Sequence, residues 1–231
     1  MRVLNYGSLN VDYTYNVPHI IQGGETLLSR GLTLFAGGKG LNQSVALAKA
    51  GLNVWHAGII GTDGQILIDA LEKAGVHTDY VKKMEERGGH TIIQVDDHGQ
   101  NSIILYGGTN QKQTKDYVDE VLSHFDEGDY LLLQNEVNLL DYIIDRAYEK
   151  GLRIILNPSP YNEKLKACDL QKVSLFLLNE IEAGQIQEGQ GAVHAVGTLN
   201  VEEALNALNQ AFPKAAFVLT LGSDGAWYFD G

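Results

Sequence analysis

Short apolar runs alternate along the chain with segments of helical periodicity. Continuous apolar runs of this length are typical of strands that are buried on both faces of a parallel sheet. The predicted strands are Val3–Tyr6, Val54–Ile60, Tyr130–Leu133, Arg153–Leu156, Ser174–Leu178 and Phe217–Thr220. The predicted helices cover residues 41–50, 64–74, 114–125 and 139–150, and three of them are followed by the glycines Gly51, Gly75 and Gly151. The alternation predicts an α/β fold with a mostly parallel sheet that is covered by helices on both faces.

Two segments, residues 11–36 and 90–106, lack this alternation. The first is rich in β-branched and aromatic residues, and the second reads as a hairpin that turns at Asp97–Gln100. Together they predict a small β-layer that projects from the α/β core. A lid over a binding site and an edge extension or dimer contact are both consistent with this pattern.

Composition narrows the class of protein. The chain has 231 residues and a formal net charge of −12, and 44% of its residues are hydrophobic. This length predicts one large domain over residues 1–231, or one domain with a small appendage. The negative charge argues against nucleic acid and anionic membranes as partners. No apolar run approaches the roughly 20 residues of a membrane span, and no signal peptide precedes the first strand.

The cysteine content predicts a reducing environment. Cys168 is the only cysteine, which excludes an internal disulfide and a cysteine-cluster metal site. The cytoplasm is therefore the expected compartment. Trp55 and Trp227 fall in predicted strands and are expected in the core.

Polar residues collect where the predicted strands end. In open α/β sheets, ligands bind outside the carboxyl ends of the strands. The residues at these ends are Asn10, Asp12, Gly37-Gly38-Lys39-Gly40, Asn42, Gln134-Asn135-Glu136, Asn179, Glu182, Thr220 and Gly222-Ser223-Asp224-Gly225. Carboxylates accept hydrogen bonds from hydroxyl groups, while lysine and amide nitrogens donate to hydroxyl oxygens. The set therefore suits a polyhydroxylated ligand, and the side-chain-poor loop at 220–225 suits a nucleotide.

Two common nucleotide-binding motifs are absent. Gly58, Gly61 and Gly64 do not have the spacing of G-x-G-x-x-G, and Gly38-Lys39 is followed by glycine instead of serine or threonine. A dinucleotide-binding dehydrogenase and a P-loop ATPase are therefore disfavoured.

Several ordered motifs resemble the ribokinase-like (pfkB) carbohydrate kinases, and within that family the chain is most similar to the ribokinases. The motifs are Asn10-Val11-Asp12, Gly23-Gly24-Glu25-Thr26, the segment 36–43, Gly61-Thr62-Asp63-Gly64, the segment 133–136, Asn157-Pro158-Ser159-Pro160, Asn179-Glu180-Ile181-Glu182 and the segment 220–225. The resemblance covers essentially the whole chain. It implies the three-layer ribokinase-like α/β fold with a small β lid formed by segments 11–36 and 90–106.

The resemblance also implies roles for individual residues. The residues that would bind sugar hydroxyls are Asn10, Asp12, Gly38, Lys39, Asn42 and Glu136. Asn179 and Glu182 would organise Mg²⁺ and phosphate, with Glu182 as the metal-side residue. Thr220, Gly222, Ser223 and Gly225 would line the ATP site. The family further implies a monovalent cation such as K⁺ and a homodimer that forms through the lid.

One departure from the family pattern matters for activity. The Gly-Ala-Gly-Asp run of the family, which carries the catalytic base and the anion hole, does not occur in these 231 residues. The base is therefore expected beyond Gly231, and no residue of the chain is assigned as catalytic. Asp224 is a weak candidate for a substitute base, because it lies in the nucleotide loop.

This departure predicts a C-terminally truncated kinase that is nearly inactive by itself, because the base and the anion hole both contribute large rate factors. A non-catalytic sugar-binding or interaction module, a nucleoside kinase and a phosphosugar kinase remain alternatives.

Overall fold

The computed structural model describes residues 1–189 and 201–230, with only the backbone for residues 187–189. Its strands are β1 Val3–Tyr6, β2 Asn10–Asn16, β3 Gly31–Gly37, β4 Val54–Ile60, β5 His77–Lys83, β6 Gly89–Val95, β7 Asn101–Tyr106, β8 Tyr130–Gln134, β9 Arg153–Asn157, β10 Leu175–Asn179, β11 Ala216–Thr220 and β12 Ala226–Phe229. Its α-helices are α1 Lys39–Lys49, α2 Gln65–Lys73, α3 Lys115–Ser123, α4 Leu140–Glu149, α5 Glu180–Gly189 and α6 Val201–Ala211.

The chain forms two compact units. The C-terminal unit contains residues 1–4, 114–135 and 139–231, and the N-terminal unit contains residues 5–113 and 136–138. The single domain predicted over residues 1–231 stays a prediction. Residues 190–200 and Gly231 lie outside the described residues. The expectation of a catalytic base beyond Gly231 also stays a prediction.

The C-terminal unit is built on a sheet with the strand order β12-β11-β10-β9-β8-β1. β8, β9, β10 and β11 pair in parallel, while β12 runs antiparallel to β11. Helices α3 to α6 supply the apolar faces that cover the strands, and α4 packs on β9 while α5 packs on β10 and β11. The expectation that Trp227 lies in the core is wrong: its side chain is 48% exposed, because β12 lies at the edge of the sheet.

The N-terminal unit contains two sheets. One has the order β1-β4-β5, with β4 and β5 parallel, and carries α1 and α2. The other has the order β3-β2-β6-β7 and includes both segments of the predicted β-layer. β2 pairs with β3 antiparallel and with β6 in parallel, and the β6–β7 hairpin turns at residues 96–100.

The predicted strands and helices are present, with bounds that differ by one or two residues at most ends. β5, α5 and α6 were not predicted. β5 reads His-Thr-Asp-Tyr-Val-Lys-Lys and lies at a sheet edge, where solvent permits polar residues. In the part of the chain that the structure describes, no helix combines the length and apolar character needed to cross a membrane.

Candidate functional site

The start of α1 lies directly against the backbone of residues 7 and 8. Gly38 has a φ of 96°, and a Cβ at this position would lie 2.9 Å from the Ser8 carbonyl oxygen. A Cβ on Gly40 would lie 2.5 Å from the Ser8 nitrogen. Only glycine permits this approach, which leaves the first backbone N–H groups of α1 facing the end of β1.

The Glu136 carboxylate closes on this helix start. The Lys39 backbone nitrogen donates to Glu136 Oε2 at 3.2 Å, and Lys39 Nζ lies 3.1 Å from Oε1. Ser8 Oγ donates to the same Oε2 and accepts from the Gly40 nitrogen at 3.2 Å. The carboxylate is nearly buried, with 7% of the side chain exposed, whereas the lysine side chain is 40% exposed. Glu136 is therefore fixed by three donors, while Lys39 remains accessible to a ligand.

Asp12 lies on β2 beside the same loop. Its Oδ1 accepts from Thr91 Oγ1 at 2.6 Å, and a Cβ on Gly37 would lie 2.0 Å from its Oδ2. Burial raises the pKa of Asp12 above its ordinary value; the Thr91 hydrogen bond opposes this, and the negative charge of Glu136 adds to it. Asp12, Lys39 and Glu136 thus form one polar cluster within the N-terminal unit.

The other predicted sugar-binding residues differ in how closely they join this cluster. Asn10 is 2% exposed, and its Oδ1 accepts from Asn110 Nδ2 at 2.7 Å. Gly38 forms the turn into α1, as described above. Asn42 lies exposed in the first turn of α1, on the same side as Lys39 by its spacing. Among the described residues, the Asn42 side chain makes no hydrogen bond to Asp12, Lys39 or Glu136.

Sequence reasoning missed four residues that hold this site together: Ser8, Thr91, Asn110 and Gln111. Gln111 Nε2 donates to the Glu136 carbonyl at 2.7 Å. Ser8 follows β1 and could have been found by the strand-end rule that identified Asn10. Thr91 is the register partner of Asp12 on β6, which becomes visible only once the strands are paired. No local signal marks Asn110, because its role depends on a contact with residues about a hundred positions away.

In the C-terminal unit, Asn179 and Glu182 form a capping box at the start of α5. The Glu182 nitrogen donates to Asn179 Oδ1 at 2.8 Å, and the Asn179 nitrogen donates to Glu182 Oε2 at 3.1 Å. This reciprocal pair satisfies two N–H groups at the helix start. Oε1 of Glu182 has no hydrogen-bond partner among the described residues, so it is available to a ligand.

The loop after β11 is open. Thr220 is exposed and its Oγ1 donates to the Leu178 carbonyl at 3.2 Å. Gly222, Ser223 and Gly225 are exposed, and the Leu221 nitrogen donates to the Gly225 carbonyl at 2.8 Å. Asp224 is exposed in the same turn. The predicted nucleotide residues therefore form a surface turn that offers backbone groups and the two hydroxyls of Thr220 and Ser223.

The remaining strand-end residues of this unit have structural contacts. Asn135 is 4% exposed, its nitrogen donates to the Ser159 carbonyl at 3.2 Å, and its Nδ2 donates to the Pro160 carbonyl at 2.7 Å. Gln134 is buried at the end of β8. These contacts connect the end of β8 to the segment that follows β9, while Asn135 Oδ1 is buried without a hydrogen-bond partner among the described residues.

Comparison with known proteins identifies the family. The model of the pfkB family of carbohydrate kinases matches residues 2–231. The ribokinase of Staphylococcus aureus (strain COL) is 30% identical over 237 residues, which cover 98% of this chain and 75% of the relative.

Solved structures agree with the sequence comparison. The crystal structure of the ribokinase from Cryptococcus neoformans var. grubii serotype A in complex with ADP is 33% identical with a TM-score of 0.84, and covers 99% of this chain and 76% of that chain. The structure of the Arabidopsis thaliana ribokinase complexed with ribose and ATP is 26% identical with a TM-score of 0.81, and covers 99% of this chain and 74% of that chain. The predicted three-layer α/β fold with a mostly parallel central sheet is confirmed, and the chain belongs to the pfkB family of carbohydrate kinases.

Proposed function

We propose that this carbohydrate kinase acts in the ATP-dependent phosphorylation of a hydroxyl of ribose or a related pentose or hexose. The sugar would be bound by Asn10, Asp12, Gly38, Lys39, Asn42 and Glu136. The observation that carries this proposal is the convergence of Asp12, Lys39 and Glu136 at the start of α1. Similarity to ribokinases solved with ADP, and with ribose and ATP, supports the choice of substrates.

The chemistry of the cluster matches neighbouring sugar hydroxyls. Asp12 Oδ2 accepts from a hydroxyl hydrogen, and Lys39 Nζ donates to a hydroxyl oxygen. The positive end of the α1 dipole stabilises the negative charge of Glu136 at this position. The site can therefore both accept hydrogen bonds from one ligand and donate hydrogen bonds to it.

The distribution of basic residues favours an unphosphorylated acceptor. A phosphosugar needs cations near its phosphate, and Arg30 is the second candidate beside Lys39. Arg30 Nη1 instead lies 2.6 Å from Asp97 Oδ1 on the exposed β-layer. Lys39 is already paired with Glu136, so neither of these two cations is reserved for a phosphate of the acceptor.

For the nucleotide, we propose the exposed backbone of Gly222, Ser223 and Gly225 together with Thr220 and Asn179. Mg²⁺ usually binds through one or two carboxylates, waters and substrate phosphates. Glu182, with its Oε1 available, fits the role of that carboxylate. When bound, Mg²⁺ would neutralise charge on the phosphates.

We also propose that residues 1–231, taken alone, bind sugar but transfer phosphate poorly, because they contain no Gly-Ala-Gly-Asp run to supply a base and an anion hole. Loss of a general base costs roughly 10²–10⁴ in rate, and loss of one oxyanion donor costs about 10² or more. A coupled assay with D-ribose and MgATP tests this directly. Turnover by the 231-residue polypeptide at ordinary kinase rates, about 1–100 s⁻¹, would contradict it.

The four-stranded sheet is proposed as a lid that also pairs with a second copy of the chain. Strand register places Phe35 and Leu105 on the face that carries Asp12, and places Leu34 and Ile104 on the opposite face. All four side chains are 45–62% exposed. One face is thus suited to cover the sugar, and the other to bury apolar area against a partner. Light scattering tests the proposed pairing. A parent that is dimeric while Ile104→Lys is monomeric supports it, and a monomeric parent contradicts it.

Calorimetry tests the sugar site. Asp12→Asn and Glu136→Gln should each weaken D-ribose binding about ten-fold or more, because hydrogen bonds to a charged group are lost. Asp69→Asn, an exposed carboxylate change on α2, is the matched control. Unchanged affinity in both site variants would refute the assignment.

A further inference from the structure

Asn110 has an orientation that the backbone determines. It is 1% exposed in the turn at residues 108–111. Its Oδ1 accepts from the Leu9 nitrogen at 3.0 Å, and its Nδ2 donates to the Leu9 carbonyl at 3.3 Å. A backbone N–H can only donate and a carbonyl can only accept, so the Asn110 amide cannot be reversed without losing both contacts.

This fixed amide determines the orientation of Asn10. The second hydrogen on Asn110 Nδ2 goes to Asn10 Oδ1 at 2.7 Å. If the Asn10 amide were reversed, two NH₂ groups would face each other. Asn10 must therefore use its oxygen inside the protein, and its Nδ2 has no hydrogen-bond partner among the described residues.

The unpartnered nitrogen of Asn10 faces out of an otherwise enclosed side chain. Asn10 is 2% exposed as a residue, but Nδ2 is not among the buried side-chain atoms that lack a partner, so it can meet an acceptor on a ligand. Gly89, the register partner of Asn10 on β6, leaves room for the pair, because a Cβ there would lie 2.1 Å from Asn110 Nδ2 and 2.4 Å from Asn10 Oδ1.

We infer that Asn110 is a positioning residue that commits Asn10 to donate from Nδ2 to an oxygen of the sugar. This inference rests on the proposed function, since it takes the ligand of Asn10 to be a sugar. Two residues along β2, Asp12 offers only an acceptor to a ligand. The site therefore selects a sugar that accepts at Asn10 and donates at Asp12, and it discriminates against the deoxy sugar that lacks the oxygen facing Asn10.

The ligand-independent test is NMR of the side-chain amides in the full chain. The Asn10 Nδ2 protons should exchange with solvent faster than those of Asn110. Asn110→Asp keeps an acceptor for the Leu9 N–H but removes the donor to Asn10, so Asn10 should turn its Nδ2 toward the new carboxylate and become protected. Equal protection of both amides in the parent, or an Asn10 signal that does not respond to Asn110→Asp, overturns the inference.

The ligand test is calorimetry with D-ribose and its monodeoxy analogues. The parent should bind one analogue about ten-fold more weakly than ribose, and in Asn110→Asp that specific penalty should disappear. Asn53→Asp adds the same charge at an exposed position and should preserve the penalty. Uniform weakening for all ligands indicates a purely structural role and overturns the inference.

Two further outcomes are distinguishable. If Asn110→Asp does not fold, Gly89→Ala replaces it in the test, because its Cβ displaces the contact between Asn10 and Asn110 without adding a charge. The specific penalty for the deoxy analogue should then disappear in Gly89→Ala. A parent that binds none of these sugars refutes the proposed function, while the NMR result still decides the orientation of Asn10.

Discussion

The start of α1 and the turn at residues 221–225 both depend on glycine, but for opposite reasons. At the start of α1, a side chain on Gly38 or Gly40 would collide with the backbone of Ser8. In the turn, Gly222 and Gly225 have φ values of 55° and 92°, but a Cβ on either would meet no atom within 4 Å. The first region is closed by packing, whereas the second is an open backbone surface.

The two proposed binding sites therefore differ in how far they are ordered before a ligand binds. Around Asp12, Lys39 and Glu136, the polar groups are already held by Ser8, Thr91 and the helix start. Such a site loses little conformational freedom when the ligand arrives. The 221–225 turn presents unoccupied backbone instead, so substitutions there should change local conformation more than global stability.

The largest expected difference comes from one substitution made in two helices. Gly40→Ala in α1 should lower the free energy of unfolding by about 3 kcal/mol or more, because its Cβ meets backbone that cannot move aside. In α5, the Cβ added by Gly184→Ala would meet no atom within 4 Å. This substitution should therefore raise the free energy of unfolding by about 0.5–1 kcal/mol. Urea denaturation measures both values. Equal effects of the two substitutions would show that the start of α1 is not closed by packing.

The next effect comes from His56, which lies fully buried behind α1. Its Nδ1 is 2.8 Å from Ser44 Oγ, and Ser44 Oγ accepts from Asn5 Nδ2. Burial lowers the pKa of His56 to about 4, although the Gly7 carbonyl acts in the opposite direction. The unfolded chain, with an ordinary histidine pKa near 6.5, therefore binds a proton that the folded chain does not between about pH 6.5 and 4.

Stability should therefore be fully present above pH 6.5 and should decrease as the pH falls toward 4. From about pH 7 to pH 5 this group alone should remove about 2 kcal/mol from the free energy of unfolding. In urea titrations over this pH range, the free energy of unfolding of His56→Gln should decrease by about 2 kcal/mol less than that of the parent. His98→Gln, at an exposed histidine of the β6–β7 turn, is the matched substitution for comparison.

The sequence predicted most of the sheet because buried parallel strands carry their own signal. Leu131, Leu132 and Leu133 are each at most 3% exposed, and such a run has few alternatives to a central strand. Edge strands were harder, since β5 is largely polar and β12 exposes Trp227. In these edge strands, the contacts that the strand makes with its neighbour determine the structure more than its residue types do.

At the site, the sequence revealed the polar residues at the strand ends but not the residues that hold them in place. Asp12, Lys39 and Glu136 could be found because ligands bind outside the carboxyl ends of the strands in open α/β sheets. Asn110 could not be found, since an asparagine in a turn is ordinary until its contact with Asn10 is known. The N-x-x-E motif predicts a metal and phosphate site, and the structure adds that Asn179 and Glu182 also cap α5.

A smaller effect should follow from Ser8→Ala in the closed region. The substitution removes a donor to Glu136 and an acceptor for the Gly40 N–H, both buried, and should cost about 1–2 kcal/mol of stability. D-ribose affinity should fall with it, because Glu136 loses one of its three donors. Ser123→Ala, where an exposed hydroxyl donates to the Glu120 carbonyl, is the matched control for denaturation and calorimetry. If Ser8→Ala behaves like this control, Glu136 is held without Ser8.

The smallest stability effect should occur at Glu182, where it distinguishes a helix cap from a ligand. Glutamine also serves at the third position of a capping box, so Glu182→Gln should change the free energy of unfolding by less than about 0.5 kcal/mol. Asn179→Ala removes the cap itself and should cost about 1 kcal/mol. Urea denaturation of both variants checks this order.

Nucleotide titrations of the same variant decide whether the motif binds a metal. A carboxylate that binds Mg²⁺ cannot be replaced by an amide without loss, so Glu182→Gln should weaken nucleotide binding only when Mg²⁺ is present. Glu180→Gln, the exposed acid two residues earlier, should leave binding unchanged with or without Mg²⁺. Nucleotide affinity of Glu182→Gln that equals the parent's at every Mg²⁺ concentration would leave the motif with capping as its function in this chain.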